Sequence, residues 1–171
     1  MAGLLDLLLF LVPIYVANSS PVVLGGGAPL DLGLSLPDGR RLLGDGKTIR
    51  GFFAGTLAGT VAGGIVALLY PLPFFDSQAV QFAAAFVLSF GTLLGDAAGS
   101  FIKRRSGVGS GRPFILDTIM FLVLSMALVF PLARPELYAP LNLLFFAVLT
   151  LILHPATNML ANRAGLKNVP W

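Results

Sequence analysis

Apolar residues run along this chain in blocks rather than in alternation. Five such blocks, at about 2 to 18, 51 to 70, 79 to 95, 115 to 132 and 138 to 158, approach the ~20 residues a helix needs to cross a hydrocarbon core. None shows the period of two that marks a barrel strand. The pattern therefore predicts an all-α integral membrane protein, a bundle of five transmembrane helices forming one membrane-embedded domain over residues 1–171. Composition agrees: 56% of residues are hydrophobic, 11% are charged, and the mean hydropathy is +0.88, well above soluble domains.

The polar segments between the blocks are asymmetric in charge. Arg40, Arg41, Lys47 and Arg50 fall in the first, Lys103, Arg104, Arg105 and Arg112 in the third, and Arg163 and Lys167 after the last block, whereas Arg134 alone falls on the other side. With an odd number of spans, the positive-inside rule predicts a cell-membrane protein with its N-terminus outside and its C-terminus, long first loop and polar chemistry at the cytoplasmic face. Residues 1 to 6 carry no Lys or Arg, and Asp6 stands where a signal peptide has its positive region, so the first block reads as a retained span. The net charge of +3 reports topology here, and nucleic acid is not expected as a partner.

The chain has no cysteine and one histidine, His154. Thiolate metal sites, Cys nucleophiles and histidine-pair sites within one chain are excluded. Gly51, Gly55, Gly59 and Gly63, then Gly91, Gly95 and Gly99, recur every four residues, the spacing that lets helix backbones approach closely. Those faces also allow a homodimer. The first loop, about 32 residues, carries Gly25-Gly26-Gly27, Pro29, Pro37 and Asp38-Gly39 as turn signals. Leu30, Leu32, Leu34 and Leu36 alternate through it, which predicts packing on the bundle or the membrane face and partial order.

Charged residues at the ends of such blocks are costly, roughly 2.5 to 3.5 kcal/mol at mid-bilayer depth, and so mark candidate sites. Asp96, Ser100, Lys103 and Arg104 fall at i, i+4, i+7 and i+8, one face of a continued helix. With Asp117 downstream, the carboxylates suit magnesium, which takes one or two of them plus phosphate oxygens and waters. The competing readings are an ion pair of Asp96 with Lys103 or Arg104 and, for Asp117, a polar first turn of the fourth span. Gly44-Asp45-Gly46-Lys47-Thr48-Ile49-Arg50-Gly51 reads as an anion cradle before a helix N-terminus, or as a basic flank on lipid headgroups. It is not a P-loop, because Arg41 stands where the Walker pattern requires its first Gly. Asn18 suits a helix cap before Pro21 as well as a site, and His154 and Asn158, one turn apart, suit interhelical hydrogen bonds as well as a site.

Taken together, Tyr15-x-Ala17-Asn18-x-x-Pro21, the Gly44 to Gly51 stretch, and Gly95-Asp96-x-x-x-Ser100-x-x-Lys103-Arg104 with Asp117 resemble the archaeal CDP-archaeol synthases, relatives of the CDP-diacylglycerol synthases. Ser100 to Arg104 satisfies the wider superfamily's Ser-x-hydrophobic-Lys-Arg. Gly109-Ser110 stands where that superfamily has Lys-Asp, its His-Gly-Gly is missing, and Met120 replaces the second acid of its closing pair. The resemblance implies transfer of a cytidylyl group from CTP to 2,3-di-O-geranylgeranylglyceryl phosphate, an isoprenoid ether-lipid phosphate, with Mg2+ and release of pyrophosphate. It implies Asp96 and Asp117 as magnesium ligands and catalytic residues with Lys103, and Lys103 and Arg104 on the triphosphate. Lys47, Thr48 and Arg50 would meet CTP phosphates or the lipid phosphate, with Asn18, Ser100, Arg112, His154 and Asn158 as secondary contacts. A small ion-coupled transporter or lipid flippase is the alternative, opposed by the clustering of charge at one face and the lack of an internal repeat. A CDP-alcohol phosphotransferase is opposed by the absence of its Asp-Gly-x-x-Ala-Arg motif.

Overall fold

The computed structural model describes residues 3–109 and 112–170. Ser110, part of the departure noted above, and the first residue of the first apolar block lie outside the described residues. Five helices carry the fold: α1 (Leu4–Leu24), α2 (Ile49–Leu69), α3 (Gln78–Arg105), α4 (Ile115–Val129) and α5 (Pro140–Arg163). Short 3-10 turns, Phe130–Leu132 and Pro135–Tyr138, join α4 to α5. All five spans, with the turn after α4 included, are long and apolar enough to cross a membrane.

Two elements run well past the predicted blocks. α1 continues to Leu24 with Pro13 and Pro21 inside it, rather than stopping near 18. Proline is tolerated there because α2 packs closely on the backbone that Pro21 leaves open: a Cβ on Gly55 would lie 2.8 Å from the Ala17 carbonyl oxygen, the acceptor that loses its N–H partner to Pro21. Asn18 is consequently a mid-helix residue and not a cap. α3 continues ten residues beyond the predicted end at 95, through its basic last turn to Arg105. Arg40 donates to the carbonyls of Arg104 and Arg105 there, satisfying acceptors that the helix leaves open.

The bundle is closed at one end by aromatic packing. Phe10 is fully buried, with ring centroids 5.8 Å from Phe74, 6.4 Å from Phe75 and 5.3 Å from Phe146. Tyr70 donates to Asp6 across the same end. That contact gives Asp6, assigned no role from sequence, a structural one. In a bilayer such rings hold the helices by close packing and dispersion rather than by removal from water, which anchors the far end while the other end, where the loops and nearly all basic residues gather, opens.

The glycine stripes are where backbones touch. A Cβ on Gly95 would lie 2.3 Å from the Met120 carbonyl oxygen, binding α3 to α4. At Gly59 it would lie 2.6 Å from the Pro13 carbonyl oxygen and 2.7 Å from Ala17 Cβ, binding α2 to α1. Both contacts are with backbone or short side chains that have nowhere to move. Gly99 is different, with its nearest neighbour at 3.4 Å. Gly95→Ala should therefore lower the detergent-solution melting temperature, corresponding to a loss of about 1–3 kcal/mol, whereas Gly99→Ala should leave it unchanged or raise it slightly.

Candidate functional site

A cavity of about 550 Å³ opens between the helices at the basic end, a volume typical of small-molecule sites. α3 supplies Asp96, Ser100, Lys103 and Arg104 to its wall, so the extra turns of α3 put the predicted face together. The end of the first loop and the start of α2 supply Gly46, Lys47, Thr48 and Phe52; α1 supplies Asn18. Arg112 and Asp117 come from the entry to α4, and His154 and Asn158 from α5. Thr48 also caps α2, its hydroxyl accepting from Gly51 N–H at 3.1 Å. Arg50 is exposed and lies outside the wall, on the opposite side of the first turn of α2.

Each carboxylate in the cavity holds a lysine. Lys47 Nζ contacts Asp96 Oδ2, tying the loop to α3. Lys103 donates to Asp117 Oδ2 at 2.6 Å and to the Arg112 carbonyl at 2.5 Å, tying α3 to α4. The competing reading of the sequence paired Asp96 with Lys103 or Arg104. The fold separates them, because the loop lysine reaches Asp96 first and Lys103 turns toward α4. Arg104 instead reaches the Leu43 carbonyl at 3.2 Å. Gly44 has φ +102, and a Cβ there would sit 2.8 Å from Arg104 Nη2, so only glycine lets the loop accept the guanidinium.

The first loop is ordered around Asp31, a residue with no evident role in the sequence. Its buried carboxylate accepts from Arg41 at 2.6 Å and from the backbone N–H groups of Gly33, Leu43 and Gly44. Bridges between Pro29 and Thr48 and between Ser35 and Arg41 fold the loop into two narrow ribbons. Asp38 pairs with Arg105 at 2.5 Å, docking the outer ribbon on the end of α3. Leu32 and Leu34 are exposed and do not pack on the bundle, contrary to one of the two packing arrangements their alternation predicted.

The C-terminal tail was missing from the predicted site. Leu166, Lys167, Asn168 and Val169 fold back to line the cavity. Gly165, at φ +72, ends α5 in the left-handed turn that Leu166 N–H closes on the Ala161 carbonyl. Lys167 Nζ then donates to Asn158 Oδ1 at 2.9 Å, and burial and the nearby Lys47 push its ammonium below the usual lysine range. A Gly with a Lys two residues later, just past the last apolar span, is the sequence signal for this turn.

The cavity wall carries five cations, Lys47, Lys103, Arg104, Arg112 and Lys167, against two carboxylates, Asp96 and Asp117. Such a balance calls for an anion. Fold and cavity define a polytopic membrane protein with a polar, ion-paired site at one end of its bundle. Residues 1–171 match the model of the CarS-like CDP-archaeol synthase family. The chain is 44% identical to the CDP-archaeol synthase of Pyrococcus horikoshii, over 100% of this chain and 99% of that protein. It is 45% identical to the corresponding protein of Pyrococcus abyssi (95% of each) and 41% identical to that of Aeropyrum pernix (99% of this chain, 93% of that protein). A solved structure of an intramembrane enzyme for archaeal membrane lipids biosynthesis superposes with a TM-score of 0.78 at 38% identity, covering 92% of this chain and 95% of that one. The chain belongs to the CDP-archaeol synthase family.

The Asp31 staple has a defined pH response. Arg41 and the three backbone donors hold its carboxyl well below the usual carboxylate range, so its contribution is fully present above the ordinary value near ~3.9 and is lost only as pH falls through the depressed folded value. Hydrogen exchange of Leu43 and Gly44 should be unaffected, apart from the intrinsic rate, from neutral pH down to about 5 and should rise only in stronger acid. Asp31→Asn should raise it roughly tenfold at neutral pH.

Proposed function

We propose that this chain is a cytidylyltransferase that joins CTP to an isoprenoid ether-lipid phosphate, 2,3-di-O-geranylgeranylglyceryl phosphate, and releases pyrophosphate at the cytoplasmic face of the cell membrane. The observation that supports this most is one cavity in which two lysine-paired carboxylates face three further cations. Family membership supplies the substrates.

A lipid phosphate oxygen attacks the α-phosphorus of CTP in line, the new P–O bond forms, and the bond to the β-phosphate oxygen breaks with its electron pair leaving on pyrophosphate. A phosphomonoester is already ionised near neutral pH, so no strong base is required. The residues present act by position and charge. Lys47, Lys103 and Arg104 take the triphosphate; as Lys47 and Lys103 turn to phosphate oxygens, Asp96 and Asp117 are released. Two hard oxygen donors beside a triphosphate fit magnesium, which bound there would neutralise charge developing on the phosphates. Ser100 and the Asn18 amide supply neutral hydrogen bonds, while Thr48 keeps the α2 N-terminus aimed into the cavity. His154 and Asn158 support Asn18 from α5. Arg112 lies at the α4 entry, and Arg50, outside the wall, is assigned to the lipid-phosphate side.

Detergent-purified protein supplied with CTP, magnesium and the isoprenoid glyceryl phosphate should release pyrophosphate only when all three are present. Asp96→Asn and Asp117→Asn should each lower kcat by about 10²-fold or more, and Lys47→Met should act mainly on the CTP dependence. Release without lipid, or full activity of Asp96→Asn in folded protein, would overturn the proposal.

A further inference from the structure

His154, the single histidine, lies between two amides that both present nitrogen to it. Asn158 Nδ2 is 3.0 Å from His154 Nε2, and Asn18 Nδ2 is 3.2 Å from His154 Nδ1. A neutral imidazole accepts at one nitrogen and donates at the other, so both amides cannot donate to it. One of them must turn its oxygen to the ring.

Lys167 decides which. Its ammonium donates to Asn158 Oδ1 at 2.9 Å, and an ammonium has only donors. Turning the Asn158 amide would set its NH2 against the Lys167 NH3+. Asn158 is therefore held with Oδ1 toward Lys167 and Nδ2 donating to His154 Nε2. That leaves the ring proton on Nδ1, and Asn18 satisfies it only by accepting through Oδ1. The Asn18 NH2 is then turned away from His154, toward the cavity that Asn18 lines.

Lys167 is itself placed by the fold. The Gly165 turn reverses the tail, and Asn162 Nδ2 donates to the Lys167 carbonyl at 2.8 Å, fixing where its side chain starts. The string Lys167, Asn158, His154, Asn18 so runs from the tail through α5 to α1.

We infer that Lys167 is a positioning residue: through Asn158 it fixes His154 as the Nδ1–H tautomer, and so holds the Asn18 amide with its two N–H donors toward an acceptor oxygen or ring nitrogen of the nucleotide. The inference rests on the proposed cytidylyl transfer for the identity of that ligand, but not for the tautomer. Lys167 is thus a determinant of nucleotide binding carried by a segment outside the membrane spans.

The test is nitrogen NMR of ring-labelled histidine in micelles at a pH of about 8, above the ordinary imidazole range. One histidine gives one ring system. Wild-type protein and Lys167→Arg should show Nδ1–H, the tautomer a neutral histidine in water populates less. Lys167→Met should gain Nε2–H, and Asn158→Asp, which keeps Lys167 but replaces the donor facing the ring with an acceptor, should place a proton on Nε2. In parallel, kcat/KM for CTP should fall about tenfold in Lys167→Met and recover largely in Lys167→Arg. Nε2–H in the wild type, or an unchanged tautomer in both variants, overturns the inference. So does a switched tautomer with unchanged kcat/KM. The tautomer is read without turnover, so a wild-type protein that fails to transfer cytidylyl groups counts against the proposed reaction and leaves the NMR result standing.

Discussion

A charge at the edge of a bilayer has to be paired, wetted or neutralised, and Asp96 lies at the end of the apolar run of α3, two turns before its basic last turn. The fold solves this with lysines from other elements. Lys47 comes from the loop and Lys103 pairs forward to Asp117 on α4. The same contacts that make the carboxylates tolerable hold the loop, α3 and α4 around one cavity. Such pairs contribute little net stability once desolvation is counted. In the proposed reaction their value is that they can be exchanged: a polyphosphate would take the lysines, and the released carboxylates would suit a hard cation.

Holding that cavity open requires the rest of the bundle to be rigid. Phe10, Phe74 and Phe146 fill the opposite end, and glycine contacts such as Gly59 on α1 and Gly95 on α4 bring helices too close to slide. Asp31 does the same for the loop with one carboxylate and four donors. Outside these regions the helices expose apolar side chains, Phe53, Leu57 and Leu69 among them, to the surrounding lipid. Rigidity at one end and polarity at the other allow a water-soluble nucleotide and a membrane-bound phosphate to meet.

Five spans were legible in the chain because a helix in hydrocarbon must satisfy its own backbone, and long apolar runs do so in one way only. Charge asymmetry likewise showed which end would carry the polar groups. Asp96, Ser100, Lys103 and Arg104 were legible as a face because helical spacing is fixed at 3.6 residues per turn. α1 was read short because Pro21 signals a turn in water, whereas within the bundle the close approach of α2 at Gly55 accommodates it. A cap was one of the two readings of Asn18 for the same reason, and its place inside α1 removes that one. Arg50 looked like part of an anion cradle, but the first turn of α2 carries it away from the wall.

What the sequence by itself determined is what local chemistry dictates: the number and order of the spans, the end at which charge collects, and the identity of the groups able to meet phosphate. Only the tertiary structure decided the pairing. Lys47 and Asp96 are 49 residues apart and Lys103 and Asp117 14 apart, and no periodicity links such positions. Asp31 became a keystone, and Lys167 reached Asn158, only because loop and tail fold back on the bundle. Helical spacing acts along one element, whereas an ion pair depends on which elements come to lie side by side.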